Sequence, residues 1–258
     1  MAPLTGAHYV ALWNSVNVYP GPAKVMTRYV FGSGTYPYTC RVRTPLGIQE
    51  LVLDHADDLQ TVTEVFCRGD YAAAPDVGTV VDIGSNIGVS ALYFLTRNRE
   101  VQVHLFEPDE RNVARLRRNL AGFEDRYSLQ ECAVADRDGI VDFGIEETGR
   151  YGGIGTGIGA ETIQVRCRDV NAVLEEVLAE TADIDILKVD AEGVEEAIVR
   201  AIRPELLERI KLLYFEVAEP IPPLHNGLFE HSRRMQIERL ERRASLVTPQ
   251  SRASSTSE

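Results

Sequence analysis

From Thr79 onward the apolar positions of the chain fall into a regular alternation. Val80, Val81 and Ile83 make a short buried run that ends in a glycine turn, and Val89 to Arg97 follows with helical spacing. Val101 to Phe106 is the next apolar run. Asp109 to Leu120 places Val113, Leu116 and Leu120 three and four apart, on one helical face. Tyr127 to Ala135 reads as a third strand. The alternation returns with a helix over Val170 to Glu180, a buried strand over Asp185 to Asp190, a helix over Val194 to Ile202 stopped near Pro204, and a strand over Leu212 to Val217. Apolar strands separated by helices predict an α/β fold, doubly wound about a mostly parallel sheet with both faces covered. Glu230 to Arg243 is expected to be a charged helix with Met235, Ile237 and Leu240 inward.

Other stretches break this rhythm. Residues 1–50 interleave Tyr, Trp and Val with Pro20, Gly21, Pro22, Gly32 and Gly34. That predicts an irregular extension with short strands at Cys40 to Thr44 and Gln49 to Leu53, joined by a Pro45–Gly47 turn. Asp57 to Cys67 is expected to be a helix with Leu59, Val62, Val65 and Phe66 on one face. Strands at Ile140 to Ile145 and Thr162 to Arg166 flank the glycine-rich stretch Gly149 to Ala160, read either as a loose hairpin connection or as a mobile flap over a substrate. Thr248 to Glu258 is Ser-rich and is expected to be disordered. The predicted division is an N-terminal extension over 1–56, one main domain over 57–247 and a tail over 248–258.

Composition narrows the function. A chain of 258 residues with 44% apolar side chains is long enough to bury one large core. Its net charge of -12 opposes phosphate backbones, so nucleic acid is a poor partner. Cys40, Cys67, Cys132 and Cys167 form no C-x-x-C pair and lie beside no His cluster, which leaves metal fingers and thioredoxin chemistry without their spacing. They are expected to be reduced, buried or half-buried thiols. Neither a basic-then-apolar leader nor a long uncharged apolar segment is evident, so the expected location is cytoplasmic, away from the membrane.

Val80-Val81-Asp82-Ile83-Gly84-Ser85-Asn86-Ile87-Gly88 carries a strand into a glycine turn that opens a helix. Glycine lets backbone approach a ligand closely, and open α/β sheets bind ligands at such strand ends. Gly84 and Gly88 are four apart, unlike the G-x-G-x-x-G of a nicotinamide site. Asp82 within the motif suits a sulfonium and an ammonium better than a pyrophosphate. One strand later, Leu105-Phe106-Glu107-Pro108 places a carboxylate where it can accept hydrogen bonds from the 2′ and 3′ hydroxyls of a ribose. The backbone at Cys132-Ala133-Val134 is placed to flank an adenine. A sulfonium, an ammonium, a ribose and an adenine are together the parts of S-adenosyl-L-methionine.

From about Asp57 to Val217 the chain resembles the FkbM family of methyltransferases. The resemblance includes Glu64-Val65-Phe66, Gly69-Asp70-Tyr71, Val81 to Gly88 (with Ser85 where the family more often has Ala), Phe106-Glu107-Pro108 and Arg117-Arg118-Asn119. Its most distinctive parts are Leu187-Lys188-Val189-Asp190-Ala191-Glu192-Gly193-Val194-Glu195 and Phe215-Glu216. It implies a class I methyltransferase, Rossmann-like, that usually methylates oxygen, with polyketide-type natural products or sugars as acceptors and S-adenosyl-L-methionine as cofactor, bound by Asp82, Gly84, Ser85, Asn86, Gly88, Glu107, Pro108 and Ala133. Two departures stand out. Ala218 occupies the place where the family commonly has a His, and little sequence after Arg243 remains to supply the closing antiparallel strands, which are expected to be short or absent.

Methyl transfer to a neutral alcohol needs a base or a metal near the hydroxyl. Asp190, at the end of its strand, is the first candidate, as base or as ligand of a divalent cation. Glu216 on the neighbouring strand is the second and His225, after the Pro220–Pro223 loop, the third. Glu195 and Glu196 are read as first-turn helix charges. The expected partner is a small hydroxylated acceptor. The rival functions are a nicotinamide-dependent oxidoreductase and a protein that binds the donor without catalysis.

Overall fold

A computed structural model describes residues 6–146, 152–155, 161–225 and 227–243. Residues 6–31, expected to be irregular, form two helices, α1 (Gly6–Val18) and α2 (Pro22–Phe31). The breakers in this segment sit at the helix ends. Gly21 precedes α2, Pro22 occupies its first turn, where a missing N–H costs nothing, and Gly32 closes it in the left-handed conformation. The strands β1 (Tyr38–Thr44) and β2 (Gly47–Leu53) pair antiparallel as the sequence predicts. Next comes α3 (Ala56–Val62), prolonged by a π-helical turn over Thr63–Arg68.

The regular part runs β3 (Thr79–Ile83), α4 (Val89–Leu95), β4 (Gln102–Phe106), α5 (Glu110–Asn119), β5 (Tyr127–Gln130) and β6 (Ala133–Ala135). The stretch expected as one strand, Tyr127 to Ala135, therefore divides between two sheets. β7 (Gly139–Ile145), β8 (Gly152–Ile154) and β9 (Glu161–Asp169) join β6 in a four-stranded sheet of order β6-β9-β7-β8. Of the glycine-rich stretch 149–160 only residues 152–155 are described; the rest, like the tail from Thr248, lies outside the described residues. The chain continues through α6 (Val170–Glu180), β10 (Ile184–Val189), α7 (Glu195–Ala201), α8 (Pro204–Leu207) and β11 (Ile210–Glu216). Asp109 and Asp169 cap α5 and α6 by accepting backbone N–H groups from Arg111 and Asn171.

Glu230 to Arg243 is not a helix. β12 (Phe229–Arg234) and β13 (Ile237–Arg242) form a hairpin whose second strand pairs antiparallel with β11. The closing strands, expected to be short or absent, are present before Arg243. The main sheet has the order β12-β13-β11-β10-β3-β4-β5, and β11, β10, β3, β4 and β5 are parallel.

Alternation along each strand feeds two core layers. Val80, Val103, Leu105 and Ile186 join Leu92, Leu95 and Leu116, and also Tyr19, Val42, Leu51 and Leu53 from the N-terminal elements. Val81, Ile83, Leu187 and Val189 face the other way, onto Val173, Leu174, Val177 and Ile198. All four cysteines are buried and free. Among the described residues no helix is long and apolar enough to cross a membrane.

Candidate active site

After β3 the chain adds β4 and β5 on one side, then returns to place β10 on the other. Connections leave the sheet in opposite directions at this point, and a crevice opens at the carboxyl ends of β3 and β10. A cavity of about 360 Å³ lies there, a size that suits a small ligand.

Its floor is a buried ion-pair knot. Lys188 Nζ, reaching up from β10, lies 2.9 Å from Asp82 Oδ1, 3.0 Å from the Gly84 carbonyl and 3.3 Å from Asp190 Oδ2. Burial by itself would depress this ammonium; the Asp82 and Asp190 carboxylates outweigh it and hold the lysine above its ordinary value. The second oxygen of Asp82 accepts from Ser90 Oγ at 2.6 Å. Asp82 is thus fully enclosed with both oxygens engaged, and it does not line the cavity. The expectation that it touches the donor's positive charge is corrected: it neutralises Lys188 beneath the site.

The glycine turn sits on this knot. Gly84 has φ +76°, and a Cβ there would stand 1.8 Å from the Asp190 carbonyl oxygen, so glycine is required by the neighbouring strand's backbone. Ser85 Oγ donates to the Asp82 carbonyl at 2.7 Å and accepts from Phe106 N at 3.2 Å, tying the ends of β3 and β4. Gly88 does not line the cavity. It opens α4 in the left-handed conformation, with Leu116 and Leu120 of α5 where a Cβ would point. Its expected role in admitting the ligand gives way to helix packing.

Glu107, at the end of β4, is buried but lines the cavity, as do Asn86 and Pro108. Its oxygens accept from Asn86 N at 2.9 Å and Asp109 N at 3.0 Å. Burial outweighs these donors and pushes the carboxyl up to about 7; further hydrogen-bond donors from a ligand favour the ionised form. Beyond Glu107 the wall becomes apolar, with Ala133 between Cys132 and Val134 and with Phe143 and Ile154 from the small sheet.

The opposite end is acidic. Asp190 follows β10, with a side chain about one quarter exposed, and receives a hydrogen bond from Tyr71 Oη at 3.4 Å as well as the Lys188 contact. Burial and the neighbouring carboxylates push the Tyr71 phenol up, so it remains a donor. Glu216 ends β11 and lines the same space. Burial first, then the charges of Asp190 and Glu64, raise Glu216 to about 7. Glu192, two residues beyond Asp190, has φ +53° and is raised to about 8 by burial, Asp190 and Glu216. A non-glycine residue in that conformation stores strain, here on a turn that aims its carboxylate into the cavity. Glu195 is structural, as expected: it accepts from the Ala191 and Gly193 amides at 3.1 and 2.9–3.1 Å.

His225 is not brought to this site. Its Nε2 lies 3.2 Å from the Val199 carbonyl and its ring does not line the cavity, which removes it from the candidate bases. Residues given no site role in the sequence reading complete the acidic end: Glu64 and Arg68 from the π-helical turn, Tyr71, Glu192, Tyr29 from α2, and Met235 to Ile237 at the hairpin turn. Arg68 is held by Asp70, donating from Nε at 2.7 Å to Oδ1, and by Glu64 at 3.3 Å. Gly69-Asp70-Tyr71 is conspicuous in the sequence, but nothing local says that Tyr71 meets Asp190, 119 residues away. Among the described residues no three His, Cys, Asp or Glu side chains are arranged to hold a metal ion.

Known proteins add the following. The Methyltransferase FkbM domain matches residues 82–241. The 2-O-methyltransferase NoeI of Sinorhizobium fredii is 45% identical over 64 residues, which cover 25% of this chain and 26% of that protein. This match therefore spans about a quarter of that relative's length. Two solved structures are similar at low identity. The FkbM methyltransferase of Methylobacillus flagellatus KT is 16% identical with a TM-score of 0.40, over 62% of this chain and 43% of that one. A methyltransferase of Geobacter sulfurreducens is 20% identical with a TM-score of 0.38, over 66% and 72%. These superpositions are too loose to add to the architecture described above. The family match takes in the glycine turn, all the strand ends that form the cavity and most of the closing hairpin, so the chain belongs to the FkbM methyltransferase family and has the class I, Rossmann-like fold.

Proposed function

We propose that this methyltransferase uses S-adenosyl-L-methionine to methylate a hydroxyl of a small natural product or sugar. The observation that carries this reading is the polarity of the single cavity between Glu107 and Glu216. One end joins a buried carboxylate at a strand end to an apolar slot; the other gathers carboxylates that exchange protons near neutral pH.

Glu107 holds the two ribose hydroxyls, and Ala133 with its neighbours flanks the adenine. The backbone at Gly84 to Asn86 carries the middle of the donor, supported by Lys188 from below. S-adenosyl-L-methionine, when bound, supplies an electrophilic methyl carbon. The chain's part is to hold the acceptor oxygen in line with that carbon and keep water out, which supplies much of the rate. Asp190 is already engaged by Lys188 and Tyr71, so it orients the acceptor hydroxyl. Glu216 takes the proton: with its carboxyl raised to about 7, it is a stronger base than an ordinary carboxylate and is still substantially ionised at neutral pH. The 2-O-methyltransferase among the similar proteins supports oxygen as the atom methylated.

Titration calorimetry is expected to show binding of S-adenosyl-L-methionine and its demethylated product and none of nicotinamide dinucleotides. Mass spectrometry against a panel of hydroxylated metabolites and sugars should then find a mass gain of one methylene unit. Binding of the dinucleotide alone, or methyl incorporation into bulk RNA with none into small molecules, would overturn the proposal. Activity lost with a chelator and restored by magnesium would replace the base by a metal.

A further inference from the structure

Helix α1 carries a surface that the methyl-transfer site does not use. Gly6–Val18 contains no Asp, Glu, Lys or Arg. Its inward side is occupied: Ala11 and Ser15 are buried, and Asn14 Nδ2 donates to the Cys67 carbonyl at 2.8 Å. Its outward side is apolar too. Tyr9, Leu12, Trp13 and Val16 recur at three- and four-residue steps, which makes one stripe. All four are more than half exposed, Trp13 at 77%. A surface helix ordinarily turns charge to water; α1 turns this stripe to water instead, with Asn17 as an exposed polar neighbour. The adjoining α2 ends in Val30 and Phe31, also more than half exposed. Val10 of α1 is exposed as well, and the other large apolar side chains exposed among the described residues, Ile48, Ile140 and Met235, are scattered singly.

We propose that this face is the contact between two copies of the chain, a two-fold dimer in which α1 lies antiparallel along α1 of the second copy. Area supports a protein-sized partner. Aromatic side chains present ~150–250 Å² each, so Tyr9, Trp13 and Phe31 leave roughly 400 Å² open at their observed exposures. Leu12, Val16 and Val30 carry the face towards the ~800 Å² per partner of a standard interface. Charge selects a second copy. Two chains of net charge -12 repel in most approaches. A two-fold contact sets a patch against itself, so it needs a patch poor in fixed charge, and α1 has no Asp, Glu, Lys or Arg of its own, with Arg43 only at its C-terminal end. The same lack of charge argues against a bilayer. Helices that lie on membranes combine an apolar face with Lys and Arg, and α1 has neither. The dimer would also brace the acidic end of the cavity, because α1 packs on the turn that carries Glu64 and Arg68, and α2 carries Tyr29.

Sedimentation equilibrium of the purified full chain, from about 1 to about 100 µM, covers the weak end of the affinities such interfaces reach. The expected mass is twice the 28.7 kDa of one chain. Trp13→Glu and, separately, Leu12→Lys change exposed positions and should keep the wild-type thermal melt while raising the dimer Kd at least about 30-fold. Ile140→Glu, at an exposed apolar residue on β7, should remain dimeric. A wild-type chain of 28.7 kDa across the range, or two folded variants as dimeric as wild type, would refute the proposal. So would a monomer that sediments with phosphatidylcholine–phosphatidylglycerol vesicles through Trp13.

Discussion

At Glu107 the two carboxylate oxygens accept one backbone N–H each, the Asn112 side chain adds a further hydrogen bond, and lone-pair capacity remains for a ligand hydroxyl. Glu107→Ala is expected to weaken S-adenosyl-L-methionine about 10- to 100-fold, the worth of one or two hydrogen bonds to a charged acceptor. Calorimetry that finds an unchanged Kd would take Glu107 out of the donor site. Lys188→Met should be harsher on the fold. It leaves Asp82 fully buried without its cation, and loss of one partner of a buried pair costs about 3–5 kcal/mol; urea unfolding reads this directly. Glu192 and Glu216 make stability depend on pH. Burial raises them to about 8 and about 7 from an ordinary 4.5, so the folded chain keeps protons that the unfolded chain releases. Their contribution is complete below the ordinary value and fades as pH rises through about 8. The ligand-free melting temperature should fall over that window, and Glu192→Gln with Glu216→Gln should flatten the slope. Methyl transfer should move the other way, rising through about pH 7 as Glu216 ionises.

Among the elements, the buried parallel strands were the plainest in the sequence, because a strand covered on both faces must be apolar at consecutive positions. The hairpin β12–β13 was not. Ile237 and Leu240 are three apart and Met235 lies near them, a spacing that a helical face also satisfies. Pairing with β11 settles the matter: Glu216↔Ile237 and Leu213↔Leu240 continue the main sheet, while Met235 stands at the turn with φ +58°. That left-handed conformation costs a side-chain-bearing residue roughly 1–2 kcal/mol. Met235→Gly is expected to raise the melting temperature by about 2–4 °C, read by calorimetry on the ligand-free chain. An unchanged or lower value would mean that Met235 contributes packing that outweighs its strain.

For the whole molecule, the N-terminal elements share the core of the parallel sheet. Val42, Leu51 and Leu53 belong to the layer that holds Leu92, Leu95 and Leu116, and Asn119 bridges Val52 N at 2.9 Å and the Ile87 carbonyl at 3.0 Å. A chain that starts at Asp57 is expected to lose its cooperative thermal transition, and a sharp melt near the wild-type temperature would make the first 56 residues an appendage. Local sequence determined the strand–helix alternation, the glycine turn and the carboxylate after β4, because each depends on periodicity or on neighbours within a few positions. Which carboxylates meet did not follow from that. Asp82 and Lys188 are 106 residues apart, Tyr71 and Asp190 are 119 apart, and the order of strands brings them together. The tertiary structure moved Asp82 beneath the site and His225 away from it. It also placed Glu192 and Glu216 at the acidic end, where shared burial makes carboxylates basic. Side-chain chemistry is written residue by residue, but burial and the distance between charges exist only once the sheet has closed.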